Sequence, residues 1–121
     1  MQTITLYGIK TCGSVQKARR FLDSRAVAYK FVDWKNTPLD SSELECFVQA
    51  VGVDTLLNTK GTTYKKLGLK EQNLDEQGKK HAMLANPLLI KRPVIVYKPS
   101  SASAMQVLVG FDESRLVEVF G

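Results

Sequence analysis

The sequence predicts an α/β fold: a four-stranded mixed sheet assembled from a βαβ half and a ββα half. Three observations carry that reading. An alternating, β-branched run at residues 3–9 leads straight into a helical pattern, and two further apolar runs, 93–98 and 105–111, precede a final helical pattern. The long middle of the chain has helical rather than strand periodicity.

Taken in order, "TITLYGI" alternates as a half-buried strand does. Over residues 14–24, Val15, Ala18, Phe21 and Leu22 recur at helical spacing, with Lys17, Arg19 and Arg20 mainly on the other faces. "AYKFVDW", residues 28–34, reads as a second strand, and the short links make it parallel to the first with a right-handed crossover. "LDSSELECFVQAVG" has Asp40 at an N-cap position, Glu43 three residues on as in a capping box, and Gly52 to close the helix. Residues 53–85 read as helix interrupted at Gly61, Gly68 and Gly78, and Pro87 breaks the short helical run after them. "PVIVYK" is a third strand, "PSSASA" a turn, and "MQVLVGF" a fourth strand antiparallel to the third. "DESRLVEVF" closes with a helix capped by Asp112. This βαβ…ββα order is that of the thioredoxin fold, with a helical insertion between the halves at about 38–91, in one domain spanning 1–121.

At 121 residues, 44% hydrophobic and 24% charged, the composition is that of an ordinary globular protein. No run approaches the roughly 18 apolar residues a membrane span needs, and "MQTITLYGIK" lacks the features of an export signal, so the expected location is cytoplasmic. The formal charge is +5, but the basic residues are scattered along the chain and no recognition-helix motif accompanies them, which argues against direct nucleic-acid binding. Two cysteines and one histidine, His81, supply no zinc set, so no metal is expected.

Chemistry concentrates where the first strand meets the first helix. Cys12 lies at the helix N-terminus, beside Gly13, which lets backbone amides approach, and Ser14, which offers a hydroxyl. Helix dipole, free N–H groups and nearby cations such as Lys10 and Lys17 each favour a thiolate over a thiol. Cys46 differs: it sits mid-helix beside Leu44, Phe47 and Val48, where cysteine behaves as a small buried hydrophobe. "IKRPV" is the second informative stretch. A proline opening a strand often occupies a special turn, sometimes with a cis bond. In a thioredoxin-like fold Pro93 would face Cys12 and offer backbone hydrogen bonds, while Arg92 would bring a guanidinium suited to a carboxylate, an oxyanion or the thiolate.

"LYGIKTCGSVQKARRFL", "LLNTKGTTYKKLGL", "LLIKRPVIV" and "VGF" occur in the order and spacing of the ArsC-related family. The chain resembles in particular the YffB branch of its Spx/YffB group, over nearly its whole length. The resemblance implies a thioredoxin-like fold with a helical insertion, a nucleophilic Cys12, and an arginine, Arg92, before a cis-proline. It also marks departures. Arsenate reductases of this class bring three arginines to the oxyanion. Here only Arg92 has a counterpart: Asn58 stands near the first position, with Lys60 displaced from it, and "VLVGF" has no basic residue. Spx regulators usually carry Cys-x-x-Cys, and Val15 occupies the second position here.

The expected function is a glutathione-dependent thiol-disulfide reductase with Cys12 as its single nucleophile. Glutathione would be a cosubstrate, with no tightly bound cofactor. Lys10, Lys60 and Arg92 are expected to lower the thiolate pKa and hold glutathione carboxylates, with Asn58 and Thr59 adding hydrogen bonds and Gly13, Ser14 and Pro93 shaping the site. Two alternatives share these residues: arsenate reduction linked to glutathione and glutaredoxin, and Spx-like docking on RNA polymerase without a redox switch.

Overall fold

A computed structural model describes residues 3–98 and 105–120. In chain order the strands are β1 (Thr3–Gly8), β2 (Lys30–Asp33), β3 (Val94–Lys98) and β4 (Gln106–Val109). The helices are α1 (Gly13–Ser24), α2 (Ser41–Val51), α3 (Val53–Leu56), α4 (Thr62–Lys66), α5 (Leu69–Gln72), α6 (Glu76–Ala85) and α7 (Glu113–Phe120), with a 3-10 turn at Pro87–Leu89. They form two compact units: a sheet unit of residues up to Thr37 together with those from Arg92 onward, and a helical unit, Pro38–Lys91.

The sheet unit is the expected mixed sheet, in the order β2-β1-β3-β4. β1 runs parallel to β2 and antiparallel to β3, which is antiparallel to β4. The βαβ link through α1 gives the parallel pair, and β3 with β4 gives the antiparallel one. Leu6 of β1 and Val94 and Ile95 of β3 are wholly buried because these strands lie in the middle of the sheet. Val15, Ala18 and Leu22, one stripe of α1, bury against the same core as Leu116 of α7. Tyr97 meets Phe120 edge to face at 5.2 Å. Asp112 accepts from the Arg115 N–H at 3.3 Å, the expected cap of α7. The turn expected at residues 99–104 lies outside the described residues.

In the helical unit α2 begins with the capping box read from the sequence: Asp40 accepts from the Ser42 N–H at 3.0 Å, and Glu43 accepts from the Asp40 N–H at 3.2 Å. Gly52, at φ 88°, ends it. Gly61 and Gly68 interrupt the helices as expected, but Gly78 does not: it lies inside α6. The break falls earlier because Asp75 caps α6 by accepting from the Gly78 N–H at 2.8 Å. The second strand, in the sheet unit, is also shorter than its apolar run, although the Trp34 N–H adds one more bond to Gly8 C=O at 2.8 Å.

Candidate active site

Gly8 sets the geometry of the first turn. A Cβ on Gly8 would lie 2.5 Å from Val15 Cγ2, and Val15 is wholly buried. Only glycine lets the start of α1 pack this close to the end of β1. The chain turns at Ile9, whose carbonyl accepts from the Cys12 N–H at 3.0 Å, and Cys12 stands in extended conformation as the N-cap of α1. Its own carbonyl takes the first helical bond, from the Gln16 N–H at 2.9 Å.

Cys12 is half-buried, and its pKa is lowered from the ordinary 9.0. Burial by itself pushes the thiol up. The Val15 N–H, the Arg92 guanidinium and the Ser14 N–H outweigh it by offering hydrogen bonds to the thiolate, and the Arg92 charge adds attraction. The site therefore discriminates between protonation states, which activates a nucleophile.

Arg92 arrives through the sheet register. Tyr7 of β1 pairs with Val94 of β3, so the residues just before Val94 lie at the end of the sheet where β1 runs into the Cys12 turn. The Arg92–Pro93 peptide bond is cis. Pro93 is buried and its carbonyl accepts from the Gly110 N–H at 2.8 Å, which ties the segment to the residue after β4.

The residues expected at the site divide between the two units. Cys12, Gly13, Ser14, Arg92 and Pro93 belong to the sheet unit, and Cys12, Ser14 and Arg92 form one electrostatic cluster with the Val15 N–H. Lys10 is in the same unit, exposed at the turn, with its carbonyl accepting from Gln16 Nε2 at 3.2 Å. The charge that acts on the thiol is that of Arg92, remote in sequence; Lys10 and Lys17 are exposed, where water screens them. Ser14 contributes its backbone N–H. Asn58, Thr59 and Lys60 form a turn in the helical unit, where the Asn58 N–H donates to Leu89 C=O at 2.7 Å and Leu57 bridges Ile90. Asn58 is half-buried over Gly61, and Thr59 and Lys60 are exposed. Two contributors escaped the sequence reading: the Val15 N–H, hidden behind an apolar side chain, and Gly8, whose signal was a glycine between strand and helix.

With this geometry in view, the comparisons with known proteins are specific. Residues 7–119 match the ArsC family. The chain belongs to the ArsC family. An uncharacterized protein of Haemophilus influenzae is 33% identical over 97% of this chain and 98% of its own length. An arsenate reductase of Neisseria meningitidis serogroup A is 29% identical over 84% of this chain and 90% of its own. The global transcriptional regulator Spx of Listeria innocua is 27% identical over 93% and 83%. Among solved structures, a YffB protein aligns with a TM-score of 0.86 at 38% identity, covering 98% of this chain and 100% of that one. An ArsC-related protein from Brucella melitensis aligns with a TM-score of 0.71 at 34% identity over 98% and 93%. The thioredoxin-like reading of the sheet and the recognition of an ArsC-related chain are both borne out. Among the described residues no helix is long and apolar enough to cross a membrane.

Proposed function

We propose that this chain is a glutathione-dependent thiol-disulfide reductase acting through Cys12 alone. The observation that carries the reading is the placement of Cys12 at the N-cap of α1 with the Val15 and Ser14 N–H groups and Arg92 about it, which lowers its pKa against the opposing effect of burial. In the proposed reaction, the Cys12 thiolate attacks the glutathione sulfur of a protein–glutathione disulfide. The new Sγ–S bond forms as the old S–S bond breaks, and the departing protein thiolate takes a proton from water. A second glutathione thiolate then attacks the Cys12 mixed disulfide, releasing Cys12 as thiolate and glutathione disulfide as product. Val15, buried at the position where a resolving cysteine would stand, supports resolution by an external thiol. Arg92 fits a glutathione carboxylate or the thiolate. Glutathione in turn points to a reducing, cytoplasmic setting.

The test monitors oxidation of NADPH through glutathione reductase with a glutathionylated peptide as substrate. Cys12→Ser should abolish turnover while Cys46→Ala retains it; full activity in Cys12→Ser would sink the proposal.

Arsenate reduction is the second reading, favoured by the arsenate reductases among the relatives. It uses the same thiolate, but a single arginine leaves a dianion short of charge-assisted hydrogen bonds worth about 1.5–3 kcal/mol each. Arsenate offered with glutathione and glutaredoxin in the same NADPH assay separates the two. The Spx relatives support docking on RNA polymerase as a further role, one without a Cys12–Val15 redox switch.

A further inference from the structure

The formal charge is not spread evenly over the fold. Of 17 cations and 12 acids, ten cations and five acids belong to the sheet unit, and seven of each to the helical unit. The whole excess of +5 therefore sits on the sheet unit. Within it, the acids Asp112, Glu113 and Glu118 cluster at α7, while Lys17, Arg19, Arg20, Arg25 and Lys30 occupy α1, the residue after it and the start of β2.

Two of these cations are held in place. The Arg19 guanidinium lies 4.3 Å from the Phe31 ring centroid and its Nε donates to Tyr29 Oη at 3.3 Å. Arg25 lies 4.4 Å from the Phe21 centroid. Neither these two nor Lys17, Arg20 and Lys30 form an ion pair among the described residues, where the ion pairs are those of Lys79 and Lys80. Gln16, Arg19, Arg20 and the single acid Asp23 line a shallow groove of about 270 Å³ along α1. Gln16 and Arg20 stand four residues apart on one exposed face of α1, so the groove runs along the helix whose N-cap is Cys12.

We propose that this face of α1, with Lys30 at the edge of the sheet, docks an acidic segment of a partner protein; that the segment's disulfide is thereby brought to Cys12 rests on the thiol-reductase reading above. Carboxylates match the observations better than other anionic surfaces do. Guanidiniums lying on rings keep their N–H edges for bidentate carboxylate contacts. The same arrangement covers Phe21 and Phe31, which denies nucleic-acid bases a stacking platform. The large apolar residues exposed among the described residues are Leu67, Leu88, Met105 and Val117, none of them on α1 or β2, so the face has no apolar side to enter a membrane.

The test measures binding to the full chain carrying Cys12→Ser, which removes thiol chemistry from the readout. Three fluorescent probes are compared by anisotropy: a Glu-rich peptide, the same peptide with Gln for every Glu, and a single-stranded oligonucleotide matched in charge. The Glu-rich peptide should bind best and weaken as salt rises. Lys17→Glu with Arg20→Glu, both at exposed positions, should weaken it by about tenfold, and Lys17→Gln with Arg20→Gln by less in the same direction. Failure of the Glu-rich peptide to bind, indifference to both variant pairs, or tighter binding of the oligonucleotide each overturns the proposal. Because Cys12 is absent throughout, these outcomes are independent of whether the reductase reading stands.

Discussion

In the helical unit Lys79 reaches Asp54 at 2.8 Å and Lys80 reaches Glu45 at 3.0 Å, whereas in the sheet unit Arg19 and Arg25 lie on aromatic rings and Arg92 serves a thiol. The helical unit neutralises these cations with its own carboxylates. Arg19 and Arg25 of the sheet unit are held by rings and a tyrosine hydroxyl, which carry no permanent negative charge, so their charge remains available to an anionic ligand. A matched count of Lys, Arg, Asp and Glu is therefore compatible with structure-building, and an uncompensated, immobilised set is what a site requires. The contrast can be broken or sharpened at three places.

The largest effect is expected at Gly8, where the sheet unit allows no slack. An added Cβ would sit 2.5 Å from Val15 Cγ2, and wholly buried Val15 has nowhere to retreat. Gly8→Ala should cost about 1–3 kcal/mol in a urea titration. It should also displace the Val15 N–H from the thiol and move the inflection of Cys12 alkylation to higher pH. A variant that loses stability yet keeps the alkylation profile would show that the helix start is positioned by something other than its packing on β1.

Removal of Arg92 comes next. In a Cys46→Ala background, Arg92→Ala takes away a hydrogen bond and a charge that favour the thiolate. Burial then acts with less opposition, and Cys12 alkylation at neutral pH should slow as its inflection rises. Stability should report the same change. Because folding lowers the Cys12 pKa below its ordinary 9.0, the unfolded chain holds more protons between the two values, so stability rises with pH through that window. It is lost again as pH falls through the folded value. Cys12→Ser should flatten this part of the pH profile, and Arg92→Ala should shrink it. An alkylation profile unchanged by Arg92→Ala would leave the backbone N–H groups as the sole activators.

The same contrast marks what was legible in the sequence. Local signals survived folding intact: the Cys12 N-cap, the Asp40–Glu43 box, the Asp112 cap and the stripe Val15, Ala18, Leu22 are all matters of spacing within one helix turn or two. Readings that required knowing what lies across the sheet fared differently. Arg92 was legible as a neighbour of Cys12 only once the element order was read as a thioredoxin-like fold, since β1–β3 pairing joins segments far apart in the chain. Lys10 and Lys17, adjacent in sequence, drew attention for a charge that water screens. Gly78 looked like a break because glycine disfavours helix interiors, yet the Asp75 cap starts α6 upstream of it. The cationic stretch from Lys17 to Lys30 stood in plain view in the sequence, but that the whole excess charge belongs to one unit required the fold, since α1, β2 and α7 had first to be assigned together.

The smallest effects separate two kinds of polar contact inside the helical unit. Asp40→Ala deletes the acceptor for the Ser42 N–H at the start of α2 and leaves helix donors without a side-chain partner, a loss of about 1 kcal/mol. Asp54→Asn also removes a 2.8 Å contact, but its carboxylate is 82% exposed and water replaces Lys79 there at little cost. Lys79, whose pKa Asp54 raises through their hydrogen bond, should return toward its ordinary value in an NMR titration while thermal unfolding stays where it was. A drop in unfolding temperature for Asp54→Asn equal to that of Asp40→Ala would mean that the ion pairs of this unit stabilise it as much as its helix caps, and that charge neutralisation there is structural rather than incidental.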